Sequence, residues 1–172
     1  MKLFHFSEES LIEVFVPRVK ENRRDMPPVV WAIDEAHEFT FYFPRQCPRI
    51  VYRRSDDINE VDRNKFFGVT SSNVVVTVEK DWYERIRDTT IYRYLFPTES
   101  FQLFDEIAGY YISQQTIVPL GVEPLDHLPE RLMQLSVELR FTSSLILLRN
   151  ALVSSTVKHF GVHKFTNAKG GF

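Results

Sequence analysis

Five consecutive residues, Val29-Val30-Trp31-Ala32-Ile33, constrain this chain more than any other stretch. All but Ala32 are β-branched or aromatic, Pro27-Pro28 precedes them and Asp34 follows, which is the pattern of a buried strand that ends at a helix N-cap. The next residues, EAHEFTFYF, repeat apolar side chains at Ala36, Phe39, Tyr42 and Phe43, so the spacing predicts a short helix with one inward face, closed by Pro44. His37 falls near the start of that helix. The sequence PRQCPR then sets Arg45 and Arg49 four residues apart, each behind a proline that restricts the backbone. Two guanidiniums held in this way suit a phosphate, although pairing with Asp34, Glu35 or Glu38 would occupy them equally well.

The chain carries 172 residues, 44% of them hydrophobic, which is enough for one substantial core, and a single domain over residues 1–165 with a flexible tail over 166–172 is expected. A formal charge of -2 argues against general nucleic-acid binding and against an anionic membrane surface, while leaving room for a local basic patch. Cys47 is the only cysteine, so the chain forms no internal disulfide and no multi-cysteine metal knot. His159 and His163 have i, i+4 spacing, but Gly161 interrupts a helix between them and HExxH is absent, so no metal is expected. No apolar run approaches the roughly 20 residues of a membrane span. Glu8 breaks the opening MKLFHFSEES before a leader's apolar core can form, and the expectation is a cytoplasmic protein. No G-x-S-x-G, Walker lysine loop or G-x-G-x-x-G occurs, which disfavours a hydrolase elbow and a Rossmann phosphate loop.

Along the chain, Lys2 to Ser7 alternates as a strand, with Leu3, His5 and Ser7 on one face and Phe4 and Phe6 on the other. EESLIEVF predicts a short helix before Pro17. Strands are expected at Ile50–Tyr52, Asn73–Val78, Tyr110–Ser113, Thr116–Leu120 and Val137–Phe141. Helices are expected over Asp57–Phe67, with Ile58, Val61 and Phe66 inward, from about Asp126 with a stripe of Leu128, Leu132 and Leu135, and over Ser144–Phe160. In that last helix Leu145, Leu148, Leu152, Val153 and Val157 form the buried face. Trp82–Ile86 and Thr90–Leu95 read as a strand pair or as a helix and a strand. Short helices scattered among strands, with no regular βαβ alternation, indicate an α+β fold.

LFHFS, followed after some twenty residues by VVWAID and an aromatic segment, resembles the first two signature blocks of ADP-ribosyltransferase-like proteins. In that resemblance His5 matches the family's strand histidine, Ser7 its small hydroxyl and Trp31 its nicotinamide-stacking aromatic. It implies split antiparallel and mixed sheets, NAD as cofactor, and a cleft lined by His5, Phe6, Ser7 and Trp31, with Arg45 and Arg49 toward phosphate. A third catalytic position would begin a late strand. Gln115 in ISQQT fits best, and Glu106 and Glu123 are the other candidates. Taken whole, FHFSEE, FVPR, WAID, FPRQCPR and ISQQTIVPL also resemble a small bacterial family to which no activity attaches.

The chemistry implied by the first resemblance is rupture of the nicotinamide–ribose bond. An oxocarbenium-like ribose develops, and the site must hold the dinucleotide bent and stack its nicotinamide. A glutamine is a weaker electrostatic partner for that cation than a carboxylate. The same pocket would serve a non-catalytic module for a nucleotide or phosphometabolite, or a phosphate-directed enzyme such as an RNA 2'-phosphotransferase, with Arg18 as a further arginine. One geometric test separates these readings from none at all: His5 and Trp31 must reach the same side of their sheet. Without the resemblance, His5 reads as a satisfied sheet histidine and Trp31 as a core tryptophan.

Overall fold

The computed structural model describes residues 1–170, so Gly171 and Phe172, the end of the tail expected to be flexible, lie outside the described residues. Ten strands, β1 (Leu3–Ser7), β2 (Val30–Asp34), β3 (Arg49–Arg53), β4 (Val74–Glu79), β5 (Ile91–Phe96), β6 (Gln102–Asp105), β7 (Tyr110–Ser113), β8 (Gly121–Leu125), β9 (Val137–Thr142) and β10 (Phe160–His163), alternate with four short α-helices. These are α1 (Glu60–Phe67), α2 (Tyr83–Asp88), α3 (Leu128–Gln134) and α4 (Ile146–Val153). The fold is α+β with one antiparallel and one mixed sheet. Among the described residues no helix is long and apolar enough to cross a membrane. The chain divides into two compact units, each made from two stretches.

The first unit, residues 1–42 and 90–126, is built on the antiparallel sheet, ordered β6-β7-β2-β1-β5-β8. The β-branched run at Val30–Ile33 lies inside this sheet, hydrogen-bonded on both sides, because such side chains fit a pleated surface that is covered. Pairing of Leu3 with Asp34 and Phe96 fixes the faces. Leu3, Val30, Ala32, Tyr94 and Phe96 turn one way and bury a core with Phe15 and Ile117. Phe4, Phe6, Trp31, Ile33 and Arg93 turn the other way, since alternate residues of a strand face opposite sides. The helix expected at Glu8–Phe15 does not form. That stretch bends at Glu8 and Ser10 and forms no regular element before Phe15, which exchanges backbone hydrogen bonds with Ile117 at 2.8 and 2.9 Å that hold its ring in the core. After β2 the expected helix contracts to a single 3₁₀ turn over Glu38–Phe41. The cap of that turn is His37, with no side-chain cap bond, and Asp34 instead closes the turn before it, its Oδ1 accepting the His37 backbone N–H at 2.9 Å.

The second unit, residues 43–89 and 127–172 as far as described, is built on the mixed sheet, ordered β10-β3-β4-β9, in which β4 and β9 run parallel. Ile50, Tyr52, Ile58, Phe66, Phe67, Val75, Leu145 and Leu152 form its core. Asn59 caps α1, its side chain accepting the Asp62 N–H at 2.8 Å, and Gly68 closes the helix in a positive-φ conformation. Val61, expected inward, is 74% exposed, because α1 turns only its C-terminal Phe66 and Phe67 to the core. The long helix expected over 144–160 stops at Val153. Ser154 and Ser155 turn their hydroxyls back onto the carbonyls of Asn150 and Leu152, at 3.2 and 2.7 Å, and such local bonds compete with helix propagation. Val153, at the end of α4, is consequently exposed, and Leu135, expected in the apolar stripe of the preceding helix, is exposed as the C-cap of α3. Buried Glu79 accepts backbone N–H groups from Leu145 and Lys169, which anchors the start of α4 and the end of the described chain to β4.

Candidate functional site

His5 and Trp31, expected to line one cleft, stand on opposite faces of the antiparallel sheet. The register pairs Phe4 with Ile33, so His5 turns with Ala32 and Phe6 turns with Trp31. The His5 ring packs 4.8 Å from Phe15 and 5.7 Å from Phe96. Its Nδ1 lies 3.0 Å from the Trp31 carbonyl oxygen, and because a carbonyl only accepts, Nδ1 carries the proton in that bond. The physical reason for the separation is the two-residue period of a strand, which sends neighbours in register to one side and the next pair to the other. Of the remaining residues expected in the cleft, Phe6 shares the Trp31 face and Ser7 shares the His5 face, where its Oγ accepts the Glu9 N–H at 3.1 Å. Gln115 is exposed in the loop after β7 and donates its backbone N–H to Ser113 Oγ at 3.1 Å. Glu106 is exposed in the β6–β7 turn. Glu123, on β8, is engaged by Arg93, whose guanidinium also donates to both oxygens of buried Glu38 at 2.8 and 2.7 Å. Burial raises the Glu38 carboxyl above the usual carboxylate range, against the lowering pull of Arg93.

Arg45 and Arg49 lie together in the second unit, and a lysine that the sequence reading passed over joins them. The turn at Pro44–Pro48 is closed by the Cys47 N–H donating to the Pro44 carbonyl at 3.0 Å. Behind it, β3 opens with Arg49, paired in register with His163 on β10, so the residue that follows His163, Lys164, leaves the sheet beside Arg49. Lys164 adopts φ +53°, a left-handed conformation uncommon outside glycine, and starts a 3₁₀ turn over Phe165–Asn167. Asn167 then donates its side-chain amide to the Gln46 carbonyl at 2.9 Å and to Gln46 Oε1 at 3.1 Å, tying the 164–167 turn to the 44–48 turn. Arg45 and Lys164 are exposed, whereas Arg49 is buried, with its guanidinium 5.1 Å over the Phe43 ring and Nη1 donating to the Cys47 carbonyl at 2.9 Å.

The electrostatic consequence falls on Lys164. Partial desolvation, and after it the charges of Arg49 and Arg45, lower its ammonium below the ordinary lysine value. Three cations are thus close enough to feel one another. Cys47, between the two prolines, is buried, and burial pushes its thiol up to about 12 despite the neighbouring Arg49. The thiol is therefore no nucleophile, and the chemistry this cluster offers is anion binding: a planar arginine fork and a lysine point charge reaching the surface, with a second guanidinium beneath them. Prolines before each arginine were a usable sign of Arg45 and Arg49. Lys164 had no such sign, because only the long-range pairing of β3 with β10 brings it there.

No curated protein and no solved structure matches the chain. The model of a family described as a family of unknown function (DUF6886) matches residues 4–168, and the chain belongs to that family.

Proposed function

We propose that this protein binds a phosphorylated small molecule, a nucleotide or phosphometabolite, at the cluster of Arg45, Arg49 and Lys164. The observation that carries the reading is the tie between Asn167 and Gln46, which holds two turns together and with them three positive charges. Arg45 and Lys164 reach the surface where such a ligand arrives, and an arginine fork beside a lysine is the donor set that phosphate oxygens accept from. NAD belongs among the ligands to be tried, on account of its pyrophosphate. Transfer chemistry on NAD draws less support, because His5 and Trp31 occupy opposite faces of their sheet and cannot together grip one nicotinamide riboside. The pocket shared by the transferase, binding-module and phosphotransferase readings fails on the same ground, and the binding proposed here sits at a different place, the turn that leads into β3.

Titration calorimetry with ADP, NAD and inorganic pyrophosphate, on the unaltered protein and on Arg45→Met and Lys164→Met, tests this. The expected result is saturable binding that each substitution weakens by about tenfold, the scale of one charge-assisted contact. Absence of heat with all three ligands, or binding indifferent to both substitutions, would overturn the proposal.

A further inference from the structure

The face of the antiparallel sheet that carries Trp31 bears a row of aromatic rings unused by the phosphate cluster. Phe104 and Trp31 meet edge to face with centroids 5.0 Å apart, Trp31 and Tyr110 at 5.8 Å, Tyr110 and Phe41 at 6.2 Å, and Phe41 and Phe6 at 5.9 Å. None of these five rings is fully buried, and Phe104, on the edge strand β6, is 38% exposed. Partly exposed rings in a continuous row are unusual for a sheet that needs only to fold, since single exposed apolar residues scatter.

Positive charge accompanies the row. The Lys20 ammonium stands 4.2 Å from the Trp31 centroid and the Arg23 guanidinium 5.3 Å from the Phe104 centroid. Both cations come from the loop that the Arg18–Val29 bridge fastens beside the start of β2. That loop holds Arg18, Lys20, Arg23 and Arg24 against Glu21 and Asp25, and Asp25 pairs with Arg23 at 3.2 and 3.3 Å. Asp105, which follows Phe104 on β6 and pairs with Tyr110, and Glu106 after it are acidic, so the basic charge belongs to the 18–24 loop alone.

We infer that this face docks single-stranded nucleic acid, with bases against Trp31 and Phe104 and the backbone along Lys20 and the neighbouring arginines. Phe4 and Ile33 on the same face are buried, so the partly exposed rings are the part of it a strand can reach; aromatic side chains accept any base because every base has a π-face, and adjacent cations supply the sequence-independent attraction. A row of rings, instead of one ring in a closed pocket, suits consecutive bases of a strand better than one free nucleotide. Within the 18–25 loop four basic residues stand against two acidic ones, a local balance compatible with an overall charge of -2.

Trp82→Phe leaves Trp31 as the only tryptophan and makes it the reporter. In that background, oligouridylate of about twelve nucleotides, within the range of single-strand binding sites, is expected to quench the emission saturably at low salt. Raising the salt should weaken binding, as release of counterions from phosphates requires. Phe104→Ala and Trp31→Ala, each checked for folding by circular dichroism, are expected to weaken binding of a labelled oligonucleotide about tenfold. No saturable binding at low salt would overturn the inference. So would binding unchanged by Phe104→Ala, or equal quenching by uridine monophosphate, which would mean a mononucleotide site. Binding lost in Lys164→Met but kept in Phe104→Ala would assign the strand to the phosphate cluster and equally overturn it.

Discussion

His5 and Trp31 are joined through the sheet and divided by it: the imidazole Nδ1 donates to the Trp31 carbonyl at 3.0 Å while the two rings face opposite ways. The histidine therefore serves the aromatic core of Phe15 and Phe96. His5→Ala is expected to cost about 1–3 kcal/mol of stability from a lost, partly buried hydrogen bond and ring packing. Urea unfolding gives the stability, and calorimetry with pyrophosphate should find the affinity of the folded variant unchanged.

Gly109 has φ +75°, and a Cβ built on it would lie 2.4 Å from His37 Nδ1 and 2.8 Å from Asp34 Oδ1. Those two side chains hold each other at 2.7 Å and secure the turn after β2. Gly109→Ala must strain the backbone and displace the imidazole, so a loss of about 1–3 kcal/mol is expected. A thermal melt measures it; an unchanged melting temperature would mean that the turn shifts freely.

Cys47 is buried and its thiol is pushed up to about 12, so almost no thiolate exists at pH 8. An aromatic disulfide reagent at that pH should leave the native protein unlabelled over minutes and label one thiol per chain in denaturing urea. Rapid native labelling would place the thiol in a more open and more polar setting than the turn at Pro44–Pro48 provides.

Asp62 accepts the Thr156 hydroxyl and backbone N–H, at 2.6 and 2.7 Å, and these bonds, the hydroxyl first, lower its carboxyl below the usual value. A carboxyl lowered in the folded state contributes stability that is fully present above its unfolded pKa of about 3.9 and is lost as pH falls through the folded value. Asp62→Asn should flatten the acid limb of the stability profile below about pH 4. Urea midpoints of both proteins across that range check the sign; parallel curves would exclude Asp62 as a contributor.

The sequence made legible whatever depends on neighbours along the chain. The alternation of Leu3, Phe4, His5, Phe6 and Ser7 already assigned both faces of β1, and the register agrees. Asp34 was readable as a residue that ends the strand in a turn, because Asx side chains bond N–H groups a few residues ahead, although the cap of the 3₁₀ turn proved to be His37. Two helices failed for opposite reasons. Glu8–Phe15 has a helical apolar spacing but surrenders it to tertiary pairing of Phe15 with Ile117, and Ser144–Phe160 keeps its spacing past the point where Ser154 and Ser155 end the helix. At the site, prolines marked Arg45 and Arg49, whereas Lys164 belongs to the cluster only through β3–β10 pairing across more than a hundred residues, which no local pattern records.

Direct observation of Lys164 tests the phosphate-binding claim most closely. With lysines dimethylated using carbon-13 and each resonance assigned by Lys→Arg substitution, the titration of Lys164 is followed with and without pyrophosphate. A depressed lysine that rises on adding pyrophosphate, and that also rises in Arg45→Met without ligand, is the result this account requires, because the neighbouring arginine charges contribute to its depression. A Lys164 titration that pyrophosphate leaves unmoved would contradict it.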